Sequence, residues 1–477
     1  MTVKILNESI EGMTVFMQDM FLFMCREKVM NFFLHKEGAS AKIGQMRDKT
    51  IASNNIFSTF RLLKGNTRAS VICEPLWGIP FVLFNFYLSL YMKELGVTDQ
   101  QLGYLISIGY VAGVFLSLIS GALTDKLGRK RTTLIFDFIS WPVTVVIYLI
   151  SNSFILFAFA TLVNSFGRIV GVSWNLMVVE DADNEQRVSA FNLLNIINIA
   201  TGIIIPLAGL LVSAYGVVIS ERIFLIYAAI SMTIMIILRN RMYKETAVGQ
   251  HILDEKKKNP VKISLGSILP FKSAAVFRGN PKAIVGASVY ILFFIYIPLG
   301  TFNSLFFAPF MTEVLGLDKS SISLLGGVYS GVMLLVFVFV IPLVSKRNNT
   351  RNMQLGLVIQ VISLLTLIVI PTGNMTATVL CIGVYAAGFG IFRPFVDSMF
   401  AEISEGRERA GIYSLIGTIT CIATALIGFV SGSIYKYEPR LIYVMSIVIL
   451  GISFILLSVY HKLKKKEMTG ELAEQGK

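Results

Sequence analysis

Apolar stretches of about 20 residues recur from residue 71 to residue 460, and no other property of the chain constrains its fold as tightly. About 20 residues wound as a helix rise roughly 30 Å, the thickness of a bilayer's hydrocarbon core. No water reaches the backbone there, so the viable spans are helices, which satisfy their own N–H and C=O groups. The pattern predicts spans at 71–92, 101–123, 132–151, 154–179, 190–215, 221–239, 283–311, 320–344, 353–371, 376–402, 411–434 and 440–460. A hydrophobic fraction of 55%, only 15% charged residues and a mean hydropathy of +0.70 agree, and they exclude an ordinary water-soluble domain.

A net charge of +13 could mean nucleic acid, so placement has to decide. The twelve spans sort the 42 Lys and Arg residues into 35 on the side of the termini, five in the opposite loops and two within spans. That asymmetry is the positive-inside bias; it predicts cytoplasmic termini and a multi-pass protein of the plasma membrane, with the bilayer and no nucleic acid as partner. His35, His251 and His461 fall outside the spans. Cys25, Cys73, Cys381 and Cys421 show no paired spacing, so neither a metal nor a cofactor is expected. The absence of a nucleophile constellation argues against an enzyme, and the absence of a Gly-x-x-x-x-Gly-Lys-Ser/Thr loop argues against an ATPase.

The chain divides into an extension at 1–68, a six-helix bundle at 69–240, a Lys-rich linker at 241–282, a second bundle at 283–461 and a tail at 462–477. Residues 10–33 are rich in Met and Phe but broken by Asp19, Arg26, Glu27 and Lys28, which suggests an interfacial segment or an upstream extension of a protein beginning near Met46. An amphipathic surface segment at 261–277 is weighed against a solvated linker. The bundles look duplicated. Ile-Pro-Phe-Val-Leu-Phe-Asn at 79–85 matches Ile-Pro-Leu-Gly-Thr-Phe-Asn at 297–303 in four of seven positions, and the basic turn at 123–131 aligns with 343–351. The fold expected is an all-α membrane protein of twelve transmembrane helices in two pseudo-symmetric bundles.

The turn after span 2 carries Gly121, Asp125, Lys126, Gly128, Arg129 and Lys130 in the order Gly-x-x-x-Asp-Lys-x-Gly-Arg-Lys. It resembles the signature loop of the major facilitator superfamily, and the resemblance covers about residues 69–462. Its physics is legible alone: Gly128 suits a tight turn, the cations hold the loop inside, and Asp125 suits a helix amino terminus. The resemblance implies that Asp125 and Arg129 join a charge latch across the cytoplasmic face, and that spans 1, 4, 7 and 10 line a central cavity.

Glu74, Asp137, Arg168, Arg393 and Asp397 fall inside spans, where a charge needs a partner or an aqueous cavity. Asn164, Arg168, Gly171 and Asn175 share one face of span 4, and the resemblance, which puts spans 1, 4, 7 and 10 around the cavity, implies that this face with Asn85, Asn303 and Arg393 forms the candidate substrate cavity. Arg393 and Asp397 are four apart and can pair with each other; whether Arg393 meets Arg168 in an anion clamp stays open. Glu74, Asp137 and Asp397 are candidates for proton coupling or an inner gate. The reading is a monomeric secondary transporter that moves a small polar or anionic organic solute by alternating access, with protons as the candidate coupling ion. Its rivals are a multidrug efflux antiporter, suggested by Gly202, Pro206 and Gly209 in span 5, and a sensor or lipid-handling protein that does not transport.

Overall fold

The structure, a computed structural model, describes residues 60, 63–258, 277, 280–344, 349–404 and 409–475. The expected segment at 10–33, most of the one at 261–277 and the core of the basic turn after span 8 lie outside these residues. Among the described residues the regular elements are helices and no strand occurs.

Spans 1 to 4 are Gly65–Glu94, Asp99–Leu127, Arg129–Ile150 and Phe154–Val179. The next apolar stretch, Gln186–Met242, runs for 57 residues, a length that would make a straight helix of about 85 Å. Its two ends nevertheless meet: Glu180 accepts a hydrogen bond from Thr246, and Asp181 accepts the Ala247 N–H at 3.0 Å. The chain folds back at Gly216, whose φ of 76° and ψ of 171° interrupt the helix in a conformation costly for any residue with a Cβ. The stretch is therefore span 5 (186–215) and span 6 (217–242), and the spans among the described residues number twelve.

Spans 7 to 12 are Pro281–Gly300, Ser323–Val344, Asn349–Val369, Met375–Ile403, Leu415–Tyr437 and Arg440–Lys466. Local capping starts several of them. Thr98 and Gln101 close a capping box on span 2, and the Asn280 and Asn374 side chains accept the Ala283 and Ala377 N–H groups at 3.0 Å each. The final helix, Leu441–Gln475, continues beyond the expected bundle end at 461.

Span 7 departs from the expected continuous helix at 283–311. The helix ends at Gly300, residues 301–306 are irregular, and helical turns resume at Phe307–Pro309. Hydroxyl groups take over the backbone groups that this break releases. Thr301 donates to the Ile297 carbonyl at 2.7 Å, while Ser304 donates to the Pro298 carbonyl at 2.8 Å and accepts the Phe306 N–H at 3.1 Å. A hydropathy pattern cannot reveal such a break, because the side chains around it remain apolar.

Within the first half span 1 packs on spans 5 and 6, and span 4 on spans 2 and 3. Within the second, span 9 packs on spans 10 and 12, and span 7 on spans 10 and 12. The halves meet along two seams, span 2 against span 11 and span 5 against span 8. At the first seam the backbones nearly touch: a Cβ on Gly103 would lie 2.6 Å from both the Gly428 carbonyl and the Gly432 nitrogen. Small residues four apart permit this approach. Large apolar side chains such as Phe115, Ile155, Leu210 and Leu426 are exposed on the periphery, as a lipid-facing surface requires.

Candidate functional site

A cavity of about 420 Å³ lies between the halves, walled by spans 1, 5, 8 and 10 and by the break in span 7. Its polar lining includes Asn195, Asn198 and Thr201 from span 5, Asn303 from the break, Ser330 from span 8, and Arg393 and Asp397 from span 10. Aromatic rings form much of the remainder. Trp77 stacks on Phe81 with centroids 4.7 Å apart, and Phe302 stacks on Tyr329 at 4.6 Å. Phe302 also stacks on Phe86 of span 1 at 5.4 Å and touches Phe307 at 4.8 Å, so that a plug of rings closes the cavity on one side. That side is the far end, opposite the turn that carries Asp125 and Arg129.

Other bonds between the halves gather at the same far end. Tyr87 donates to the Lys319 carbonyl at 2.8 Å, Ser107 to the Ala425 carbonyl at 2.7 Å, and Lys93 to Glu313 at 2.7 Å; Lys319 pairs with Glu94. Arg393 and Asp397, on the turns of span 10 nearer the signature end, keep about half of their side-chain surface exposed (52% and 50%) although they line the cavity. The cavity is sealed at the far end and open toward the signature end.

The structure brings Asn303, Arg393 and Asp397 together in this cavity. Arg393 Nε stands 4.0 Å from Asp397 Oδ2, a loose pair that leaves most guanidinium donors free to meet a ligand. Arg168 is elsewhere. It lies over the Tyr110 ring at 5.3 Å, and its Nε would be 3.3 Å from a Cβ on Gly113, beside Cys421 of span 11. It thus sits at the seam of spans 2 and 11, and no two-arginine clamp forms with Arg393. Asn164 donates to the Ser140 carbonyl at 2.9 Å and Asn175 to the Gly171 carbonyl at 2.6 Å, so both amides are engaged within their own half. Asn85 is half-buried in span 1 outside the cavity lining.

Glu74 and Asp137 face the interior of the first half. Asp137 on span 3 pairs with Arg239 on span 6, both side chains almost wholly buried. Glu74 is 8% exposed and lies beside the Asn198 side chain. The sequence reading ended span 6 at Arg239 and counted it among the charges on the side of the termini; the structure buries it inside the bundle. It also passed over Asn192, Asn195 and Asn198, three amides spaced by three in an otherwise apolar helix. That spacing was the available signal for the cavity wall of span 5.

The signature turn is built inside one half. Gly128 adopts φ 85°, and Arg129, 3% exposed, reaches Asp125 at 2.9 Å and grips Glu180 through Nε and Nη2 at 3.1 Å. The carboxylate at the amino terminus of span 3 is not Asp125, as the sequence suggested. Glu245, just after span 6, accepts the Arg129 and Lys130 N–H groups at 2.9 and 3.1 Å. Asp125 belongs to the last turn of span 2 and is turned toward the Arg129 guanidinium instead. Lys130 takes part through its backbone, and Gly121 faces open space.

The family model of the Major Facilitator Superfamily matches residues 77–392 and 289–476, most of the chain. The chain belongs to the Major Facilitator Superfamily. It is 22% identical over 391 residues to the quinolone resistance protein NorA of Staphylococcus aureus (strain MRSA252), across 80% of this chain and 93% of that one. Its fold resembles that of the nucleoside transporter NupG, with a TM-score of 0.60 at 18% identity over 84% of this chain and 100% of that one. A D-xylose–proton symporter scores 0.62 at 14% identity, covering 81% and 96%. A bacterial homologue of the iron transporter ferroportin, solved in an inward-facing state, also scores 0.62 at 14% identity, covering 83% and 98%. The superfamily is one of membrane transporters, and the twelve spans and the cavity between halves accord with that membership.

Proposed function

We propose that this chain is a secondary active transporter of the plasma membrane that moves a polar, ring-bearing organic solute with an anionic group by alternating access, coupled to protons. The observation that carries this reading is the cavity chemistry: a loosely paired Arg393 faces Asn195, Asn198 and Asn303 between two stacked aromatic pairs. Rings offer flat apolar faces to a planar solute, amides bond its polar edges, and the guanidinium takes its anion. The volume of about 420 Å³ suits a small organic molecule. With both termini cytoplasmic, the open end is the inner one and the structure is the inward-facing state of the cycle.

Efflux is the second reading, favoured by the similarity to NorA and by span 5. A Cβ on Gly202 would collide with Ser330, one on Gly209 with Ser323, and Pro206 packs on Gly327, so the partial efflux-type motif forms the seam to span 8. A quinolone is itself a planar ring system bearing a carboxylate, and the same cavity would accept it.

The test is uptake into proteoliposomes of radiolabelled nucleosides, organic anions and a quinolone, with and without an imposed pH gradient. At least one solute should accumulate with the gradient, and Arg393→Gln should weaken its binding about tenfold to a hundredfold, the loss of a charge-assisted hydrogen bond. Unchanged affinity in that variant would move the site elsewhere. Binding without movement in the wild type would favour a sensor.

A further inference from the structure

Behind the cavity wall, spans 1, 3 and 6 bring two buried carboxyl groups and one buried guanidinium into one region. Asp137 of span 3 pairs with Arg239 of span 6, with 3% and 8% of the two side chains exposed. Glu74 of span 1 is 8% exposed and lies beside the Asn198 amide of span 5. Polar groups beside them include Cys73 and Ser70 on span 1, Ser140 on span 3 and Tyr243 after span 6, all uncharged. Tyr243 lies under the Arg239 guanidinium at 5.7 Å and shares a 2.6 Å hydrogen bond with the Ser70 hydroxyl. Neither neutral hydroxyl supplies a second positive charge.

Charge counting then decides the protonation. One guanidinium offsets one carboxylate, and Asp137 holds it. A second ionised carboxylate in the same dry interior would cost several kcal/mol, so Glu74 keeps its proton in this arrangement. Ionising Glu74 requires that Arg239 turn from Asp137 toward it or that water reach it. Asn198 connects this pocket to the solute site, because the amide beside Glu74 also forms part of the cavity wall. Span 5 is a seam helix, packed on span 8 of the other half, so movement between the halves acts directly on the Asn198 contact.

We infer that Glu74 is the carboxyl group that carries the coupling proton and that Arg239, held by Asp137, is the positive charge that receives its carboxylate when the proton leaves. The proton departs from the Glu74 carboxyl to water on the side where the cavity is open; Arg239 stays protonated and shifts from one carboxylate toward sharing by two. This deepens the proposed proton-coupled transport and rests on it, placing the proton site behind the cavity rather than at Asp397.

Infrared difference spectroscopy on the purified full-length protein, titrated from acid to alkali without solute, tests the protonation. A carbonyl band of a buried carboxylic acid should be lost with rising pH. That component should be missing in Glu74→Gln, displaced in Glu74→Asp, and retained in Asp397→Asn and in Glu221→Gln, which removes a buried carboxyl group elsewhere on span 6. Arg239→Lys should move its titration by altering the charge that receives the carboxylate. A titrating band that survives unchanged in Glu74→Gln and Glu74→Asp, or that vanishes in Asp397→Asn, overturns the inference. The solute screen separates the two levels. If the wild type accumulates a nucleoside or quinolone under a pH gradient, Glu74→Gln should still exchange it across the membrane while losing accumulation. Accumulation preserved in Glu74→Gln sinks the inference and leaves proton-coupled transport standing; a wild type that moves no solute while the Glu74 band titrates sinks the transport reading and the coupling role with it, and leaves Glu74 only as the titrating carboxyl group.

Discussion

The two ends of the molecule are held by different chemistry. At the far end, the buried contacts are between uncharged groups and backbone and run between the halves, Tyr87 to the Lys319 carbonyl, Ser107 to the Ala425 carbonyl and Gly103 against Gly428 and Gly432, while the ion pairs Lys93–Glu313 and Lys319–Glu94 lie at the exposed rim. At the signature end buried charges dominate, and they run within one half: Arg129 to Asp125 and Glu180, and Glu245 to the first N–H groups of span 3. The difference fits what each end must do. Contacts that break in every cycle have to be individually weak, and a neutral hydrogen bond contributes only about 0.5–1.5 kcal/mol. A buried ion pair is expensive to open, about 3–5 kcal/mol when one partner is lost, and suits a joint that moves as a unit. The far end is a seal, and the signature cluster is a clasp that makes spans 2, 3, 4 and the segment after span 6 one body.

Removing the clasp should produce the largest effect. Arg129→Ala leaves Glu180, whose side chain is 10% exposed, without its guanidinium, and thermal unfolding in detergent should show a loss of about 3–5 kcal/mol. Arg129→Lys should recover only part of this, since an ammonium cannot grip Glu180 through two nitrogens. If Arg129→Ala instead unfolds like the wild type and only changes which end is open, the cluster is a gate, and the contrast between the ends is lost.

A valine at Gly103 attacks the seal. Its Cβ would sit 2.6 Å from two backbone atoms of span 11, so the far ends of the halves must part. Overpacking costs about 1–3 kcal/mol in a well-packed interior, which as a bias against the sealed state is about fivefold to more than a hundredfold. A cysteine at Asn303, in the cavity, reports it: in a background without native cysteines, its labelling by an impermeant maleimide added at the far side should accelerate by that factor. Labelling unchanged by Gly103→Val would mean that the span 2–span 11 approach does not control access.

These variants also mark what a sequence can disclose. The twelve spans and the signature turn were legible because length, apolarity and charge asymmetry answer directly to the bilayer. Gly128 and Arg129 were legible because a tight basic turn leaves few alternatives. The site was legible only in part. Arg393, Asp397 and Asn303 could be named as polar residues within apolar spans, but the face each presents depends on helix rotation and, for Asn303, on a break that the hydropathy pattern hides. Arg239 was missed because it stands at the apolar boundary, where an arginine usually reaches outward to the interface; its partner Asp137 lies about 100 positions away in the chain and turns it inward. Glu180 and Glu245 look like ordinary loop acids until folding sets them around Arg129.

Tyr87→Phe refines the contrast at a single hydroxyl. The ring stays and only the donor to the Lys319 carbonyl is lost, a change of about 0.5–1.5 kcal/mol against the sealed state. Labelling at Asn303→Cys from the far side should therefore rise about twofold to tenfold, with no measurable change in thermal unfolding from the signature clasp. A loss of stability as large as that of Arg129→Ala would place Tyr87 in the folding core of its own half and remove it from the seal.

The smallest effect belongs to the one kind of interaction both ends share, an ion pair, in its exposed form. Lys93 sits between Asp99 of its own half and Glu313 of the other, and Glu313 is 44% exposed. Glu313→Gln removes only the bond that crosses the seam and leaves Lys93 with Asp99. Water and salt screen such a pair, so its contribution to closure should be about 0.2–1 kcal/mol at low ionic strength and vanish near 1 M salt. Far-side labelling of Asn303→Cys should accordingly differ between Glu313→Gln and its parent by less than about fivefold in dilute buffer and converge at high salt. A difference that persists in salt would mean that this pair is desolvated within the seal, and the far end would then rely on charge in the way the signature end does.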